Sequence, residues 1–208
     1  IGPVADVTIV DCDQCGMLHI EELQVLDIDA WDAVMVTNIF GLCTDLSPYI
    51  NFCKSNDKIL IVDSAVALLT DARNVKDAPC EVISFHQTKP WGMGEGGCAV
   101  IDSRDAKLFR SMLNFGATSG DEVRPYSANG KISDFDCALI LQRLIRMPDW
   151  QRLYKLQARR INKIALKIGL SPLSRFPDNS IMGNLPFLHT RPITKDLLEN
   201  PWITLRKY

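Results

Sequence analysis

The sequence lacks long apolar runs and any excess of basic residues. No stretch approaches the roughly 18 consecutive apolar residues of a membrane-spanning helix. The chain has 23 Lys and Arg against 25 Asp and Glu, a formal net charge of −2, whereas nucleic-acid-binding domains are basic overall. The first residues also lack the basic and apolar regions of a signal peptide. We therefore expect a soluble, cytoplasmic protein with no membrane or nucleic-acid partner.

Metal-ligating residues are also scarce. The 208 residues include only three histidines, at positions 19, 86 and 189, and a single CxxC, Cys12–Cys15. Zinc sites are typically built from paired CxxC motifs or from clustered histidine and cysteine, so no metal site is expected. Seven cysteines, an odd number, lie in apolar contexts, which indicates reduced thiols in a core rather than a disulfide framework.

A lysine stands between an apolar run and a glycine-rich loop. The run Cys80–Phe85 precedes Lys89, and four glycines follow within residues 92–97. Glycines let the backbone approach a ligand closely, which suits a phosphorylated cofactor. A lysine amine can form a Schiff base with an aldehyde. The alternative interpretation is an exposed lysine in a glycine-rich turn.

A carboxylate follows an earlier apolar run. Ile59–Val62 is typical of a buried parallel strand, and Asp63 ends it. Ligand sites in open α/β sheets lie at these carboxyl ends. An aspartate there and a lysine two strand–loop units later match the needs of pyridoxal 5′-phosphate (PLP) chemistry, in which a carboxylate keeps the pyridine nitrogen protonated. Alternatively, Asp63 caps a following helix.

These segments, together with the stretch Asn129–Asp134, resemble the DegT/DnrJ/EryC1/StrS family of sugar aminotransferases in order and spacing. The resemblance implies a PLP-dependent aminotransferase that acts on a nucleotide-linked keto sugar with an amino-acid donor such as glutamate. It also implies a three-layer αβα large domain of fold type I with a mostly parallel sheet, over residues 1–147. Residues 148–208 would form a linking helix and part of a small C-terminal α+β subdomain.

The resemblance assigns roles to five residues. Lys89 carries the cofactor and catalyses proton transfer, Asp63 pairs with the pyridine nitrogen, and Ser84 binds the phosphate. His86 lies near the pyridine ring, or is structural. Asn129 reaches the phosphate of a partner subunit in a homodimer, or is a plain turn residue.

Two departures from the family pattern leave an alternative function open. Val66 stands three residues after Asp63, where the family usually has a glutamine near the cofactor. Alignment of Gly2–Pro3 with the family pattern also leads us to expect no counterpart here of roughly the first hundred family residues, which supply part of the phosphate site. The alternative is a truncated, catalytically impaired or non-enzymatic member that keeps the fold as a binding or oligomerisation module.

Apolar patterning predicts the elements that carry these residues. Strands are expected at 3–11, 31–36, 59–62, 80–85, 98–101 and 185–188. Helices are expected to start near residues 20, 45 and 133, and another runs from about 149 to 168 after the Pro148 break. The stretch Asp102–Asp105 is expected to cap a further helix that runs to about Leu113. Residues 115–131 are expected to form a long surface loop.

Overall fold

The computed structural model describes residues 5–42, 45–68, 80–117, 126–176 and 181–189. Six strands and five α-helices lie in these ranges. In chain order they are α1 (Ile20–Val25), β1 (Ala33–Thr37), α2 (Ser47–Ser55), β2 (Ile59–Asp63), β3 (Cys80–Ser84), β4 (Gly97–Ile101), α3 (Ala106–Met112), α4 (Asp134–Ile145), α5 (Met147–Lys167), β5 (Ser171–Pro172) and β6 (Phe187–Leu188).

Four strands form one sheet in the order β1-β2-β3-β4. β1, β2 and β3 are parallel, and β4 returns antiparallel to β3. The predicted α/β fold with a mostly parallel sheet is therefore confirmed. Because the parallel strands run the same way, their carboxyl ends lie at one edge.

The two faces of this sheet differ in burial. Inward side chains such as Val36, Leu60 and Val62 are fully buried and pack with Tyr49 and Ile50 of α2. On the opposite face apolar side chains are exposed: Met35 at 45%, Ile59 at 57% and Val82 at 44%. Since parallel sheets are normally covered on both faces, this open apolar face is suited to a second covering layer.

The helical region packs against the loop that follows β3. Ser133 Oγ accepts a hydrogen bond of 3.0 Å from the Asp136 amide, so Ser133 caps α4 as predicted. The predicted break is also present, since α4 ends at Ile145 and Pro148 lies in the first turn of α5. Trp150 of α5 joins Trp91 and Ile181 in a second apolar core.

Two expectations are wrong. The described part of the predicted strand 3–11 forms no strand among the described residues, and its apolar Val7 and Ile9 are 61% and 91% exposed. Of the cysteines predicted to be in the core, four are exposed, namely Cys12, Cys15, Cys98 and Cys137.

The helix expected after the cap stretch Asp102–Asp105 is present as α3, with Asp105 as its N-cap. Within that stretch Asp102 accepts the Arg104 amide at 2.8 Å in a turn.

The other sequence-based expectations are met in part or stay predictions. Burial raises the pKa of the Cys53 thiol, as expected for a core cysteine. The described parts of the predicted loop 115–131 include a bridge between Asn114 and Asn129. The predicted strand 185–188 is present as β6, which pairs with β5. The division at residues 147 and 148 into two domains stays a prediction.

Candidate active site

Asp63 and Ser84 lie on the same side of the sheet at its carboxyl edge. Asp63 is in register with Val82 of β3, and Ser84 is two residues further along the same strand. Since side chains in register share a face and residues i and i+2 lie on one side of a strand, the carboxylate and the hydroxyl face the same way. The structure therefore brings these two predicted residues together.

The half-buried Asp63 does not cap a helix. Its Oδ1 accepts a hydrogen bond of 2.9 Å from the Ala65 amide, and no helix begins in the described residues 64–68. Within the part of the chain that the structure describes, its second carboxylate oxygen has no hydrogen-bond partner. It is therefore available to accept from a ligand.

The pairing of β3 with β4 continues into the loop beyond the sheet. After the last register pair, Ser84 with Gly97, the Phe85 amide donates to Gly96 O at 2.8 Å and the Gln87 amide to Gly94 O at 2.8 Å. Gly94 and Gly96 have φ of +64° and +144°, a region that side chains rarely adopt. The glycine-rich segment is therefore the returning arm of a hairpin.

Lys89 lies at the tip of this hairpin, between two consecutive turns. Its amide donates to His86 O at 2.9 Å, and its carbonyl accepts from the Gly92 amide at 2.9 Å. Both backbone polar groups of the lysine are thus satisfied. Among the residues described, no hydrogen bond or ion pair engages its amine, which leaves the amine available for covalent chemistry.

Ser84 and His86 are linked through the start of this loop. Ser84 Oγ accepts from the His86 amide at 3.2 Å, so the hydroxyl hydrogen remains available as a donor. His86 Nδ1 accepts from the Thr88 amide at 3.2 Å. This assigns the proton to Nε2, which lies 3.3 Å from Glu95 Oε1. These contacts support a structural role for the His86 ring within the hairpin.

Asn129 is not in direct contact with the other candidate residues. It is exposed and forms a bridge with Asn114 in the segment after α3. No hydrogen bond joins it to the Lys89 loop within the described ranges. Its predicted role depends on a partner subunit.

Trp91 and Gly92 hold the Lys89 loop in place, in packing roles that sequence reasoning did not assign to them. Trp91 is fully buried, and its Nε1 donates to Ser84 O at 2.8 Å. At Gly92 a Cβ would lie 1.9 Å from His86 O and 2.6 Å from Phe85 O. The stretch Pro90–Trp91–Gly92 directly after the lysine was the available signal, since a large apolar residue beside a glycine is typical of a turn packed on a core.

Comparisons with known proteins identify the family of this chain. The sequence profile of the DegT/DnrJ/EryC1/StrS aminotransferase family matches residues 5–175. The chain belongs to this family. In sequence it is 28% identical over 163 residues to Protein Rv3402c of Mycobacterium tuberculosis, covering 74% of this chain and 38% of that protein. It is 26% identical over 191 residues to a dTDP-4-amino-4,6-dideoxy-D-glucose transaminase of Shigella dysenteriae, covering 85% and 51%.

Solved structures show the same fold. The aminotransferase PseC of Helicobacter pylori, involved in the biosynthesis of pseudoaminic acid, aligns with a TM-score of 0.73 at 24% identity, covering 88% of this chain and 52% of that one. A DegT DnrJ EryC1 StrS aminotransferase from Brucella abortus aligns with a TM-score of 0.68 at 21% identity, covering 84% and 50%. The chain thus spans about half the length of these relatives, or less.

The site residues fit the PLP on which this family depends. The free Lys89 amine suits an aldehyde, the open oxygen of Asp63 suits a protonated pyridine nitrogen, and the Ser84 hydroxyl suits a phosphate. At the same carboxyl edge of the sheet, directly after Asp63, Ser64 Oγ is fully buried and has no hydrogen-bond partner in the described structure. The side chain of the half-buried Val66 offers no hydrogen-bond donor.

Neither a metal site nor a membrane-spanning helix is evident in the described ranges. They contain no group of three or more His, Cys, Asp or Glu side chains that could hold a metal ion. No helix in them is both long enough and apolar enough to span a membrane.

We predict that Gly92→Ala disrupts the Lys89 loop. The added methyl would meet two backbone carbonyls that cannot move without breaking the hairpin, and overpacking of this kind typically costs about 1–3 kcal/mol. Thermal unfolding should show a lower midpoint, and amide hydrogen exchange should become faster in a peptide spanning residues 85–96. Gln87→Ala, at an exposed position of the same hairpin, is the matched control and should change neither measurement. Unchanged exchange in Gly92→Ala would contradict this packing.

Proposed function

We propose that this chain carries the cofactor-binding core of a PLP-dependent aminotransferase that acts on a nucleotide-linked keto sugar with an amino-acid donor. The observation that carries the proposal is the position of Lys89. Its backbone is fixed by two turns in the hairpin loop that leaves the sheet edge of Asp63 and Ser84, while its amine has no described partner. The names of the Shigella dysenteriae and Helicobacter pylori relatives support an amino-sugar substrate class.

Each residue has a distinct role in this proposal. The Lys89 amine holds the cofactor covalently and, once released, moves a proton as a general base and then as a general acid. Asp63 accepts a hydrogen bond from the protonated pyridine nitrogen, and Ser84 donates to the phosphate. When bound, PLP supplies an electron sink for deprotonation at carbon.

Val66 is the observation that favours a second candidate, an impaired or non-enzymatic member that serves as a binding or oligomerisation module. A valine side chain cannot donate a hydrogen bond to a bound ligand, and loss of one preorganised donor typically costs about 2–4 kcal/mol of transition-state stabilisation. This lowers the expected rate but leaves Lys89, Asp63 and Ser84 intact. The aminotransferase proposal is therefore preferred.

We predict that PLP attaches to Lys89. The protein should be incubated with PLP, reduced with borohydride and mapped by peptide mass, and the adduct should lie on Lys89. Lys89→Ala should lose the adduct, whereas Lys107→Ala, which removes an exposed lysine of α3, should keep it. An adduct on another lysine, or one retained in Lys89→Ala, would contradict the assignment.

We further propose a homodimer in which Asn129 serves the partner's phosphate site. Support comes from the exposed position of Asn129 and from its lack of described contacts to the Lys89 loop. In a two-fold dimer each subunit can complete the site of the other.

We predict that the protein sediments as a dimer when PLP is bound. Asn129→Ala should weaken PLP retention by about tenfold, the effect of losing one hydrogen bond to a charged group. Ala substitution of Asn184, an exposed residue near β6, is the control and should change nothing. A strictly monomeric protein that binds PLP would rule the arrangement out.

A further inference from the structure

The carbonyl oxygen of Pro90, the residue directly after Lys89, is bound by an arginine of α4. Pro90 occupies the second position of the turn that runs from Lys89 to Gly92, and it is buried. Arg143 of α4 donates to Pro90 O twice, from Nε at 3.1 Å and from Nη2 at 2.8 Å. The closing hydrogen bond of a turn does not use the carbonyl of its second residue. Arg143 therefore supplies the partners that this buried oxygen needs.

Arg143 is itself held in a fixed orientation. Its guanidinium carbon lies 4.5 Å from the centre of the Trp150 ring, and Trp150 Nε1 donates to Arg143 O at 2.9 Å. Across the described ranges Arg143 forms no ion pair with a carboxylate. Its charge is instead directed at the backbone next to the candidate catalytic lysine.

This contact determines the orientation of one peptide group. The two commonest β-turns differ by a flip of the central peptide, which here joins Pro90 to Trp91. Arg143 fixes the carbonyl end of that peptide, and the buried Trp91 side chain fixes the other end through Ser84 O. Lys89 is the first residue of the same turn, so its backbone direction depends on both contacts.

We propose that Arg143 is a positioning residue for Lys89: by holding Pro90 O it fixes the turn from which the lysine amine projects toward the cofactor. The inference rests on the proposed function. A planar guanidinium that donates twice and stacks on an indole cannot be replaced by an ammonium group without loss. Lysine at position 143 should therefore restore only part of the effect.

The test separates cofactor binding from the covalent step. The rate at which PLP becomes attached to Lys89 is measured against PLP concentration in the wild type, Arg143→Gln, Arg143→Lys and a control, Arg159→Gln, which removes an exposed arginine of α5. Misplacement of a reacting group slows reaction without weakening contacts made elsewhere. Arg143→Gln should lower the limiting rate about tenfold or more and leave the half-saturating PLP concentration within about twofold.

Arg143→Lys should fall between the wild type and Arg143→Gln, and Arg159→Gln should match the wild type. A merely structural role would change the limiting rate and the half-saturating concentration together, because Asp63 and Ser84 would also move. That result would overturn the inference, and so would an unchanged limiting rate in Arg143→Gln. If Arg143→Gln does not fold, the Arg143→Lys variant gives the same two readings.

Hydrogen exchange without cofactor distinguishes failure of this inference from failure of the proposed function. Amides in a peptide spanning residues 86–96 should exchange about tenfold faster in Arg143→Gln, because the turn opens more often. If the wild type forms no Lys89 adduct, the proposed function fails and the positioning role with it. Faster exchange would then still confirm the contact, and unchanged exchange would overturn it.

Discussion

The hairpin register between β3 and β4 is the constraint on which the candidate site depends. Ser84 pairs with Gly97 as the last sheet pair, and the hydrogen bonds from the Phe85 and Gln87 amides carry the same register past the sheet. A slip of one residue would turn Ser84 away from the face that it shares with Asp63. It would also displace the tip that carries Lys89. The parallel pairing of β2 with β3 then sets the distance between carboxylate and lysine.

The hairpin tip is held from the helical side as well. Trp91 is buried beside Trp150, and Gly92 lies so close to the His86 carbonyl that no side chain fits. A loop with several glycines would otherwise lose much conformational entropy on ordering. Packing one large side chain and hydrogen bonding both Lys89 backbone groups offset that cost. The lysine amine can then be free while its backbone is rigid.

The sequence predicted the sheet and the order of its polar ends, because β-branched runs such as Ile59–Val62 report burial directly. It predicted Asp63, Ser84 and Lys89 as candidates because their places follow strand ends. It did not predict the contact of Arg143 with Pro90 O or the close packing of Gly92, since both involve backbone carbonyls that only the folded chain brings near. The strand expected at 3–11 was wrong for a different reason. Apolar alternation predicts a strand only where a neighbouring strand is present to pair with it.

The open sheet face is the one that presents the candidate residues. Exposed Met35, Ile59 and Val82 share this face with Asp63 and Ser84, since strand register and the alternation of side chains place them on one side. A second layer packed on this face would therefore adjoin the candidate site.

The most direct test of this account is a crystal structure of the protein soaked with PLP. The account predicts continuous density from Lys89 Nζ, with the pyridine nitrogen about 2.7–2.9 Å from an Asp63 carboxylate oxygen and the phosphate against the Ser84 hydroxyl. Density attached to a different lysine, or a ring bound at Lys89 with its nitrogen directed away from Asp63, would contradict it.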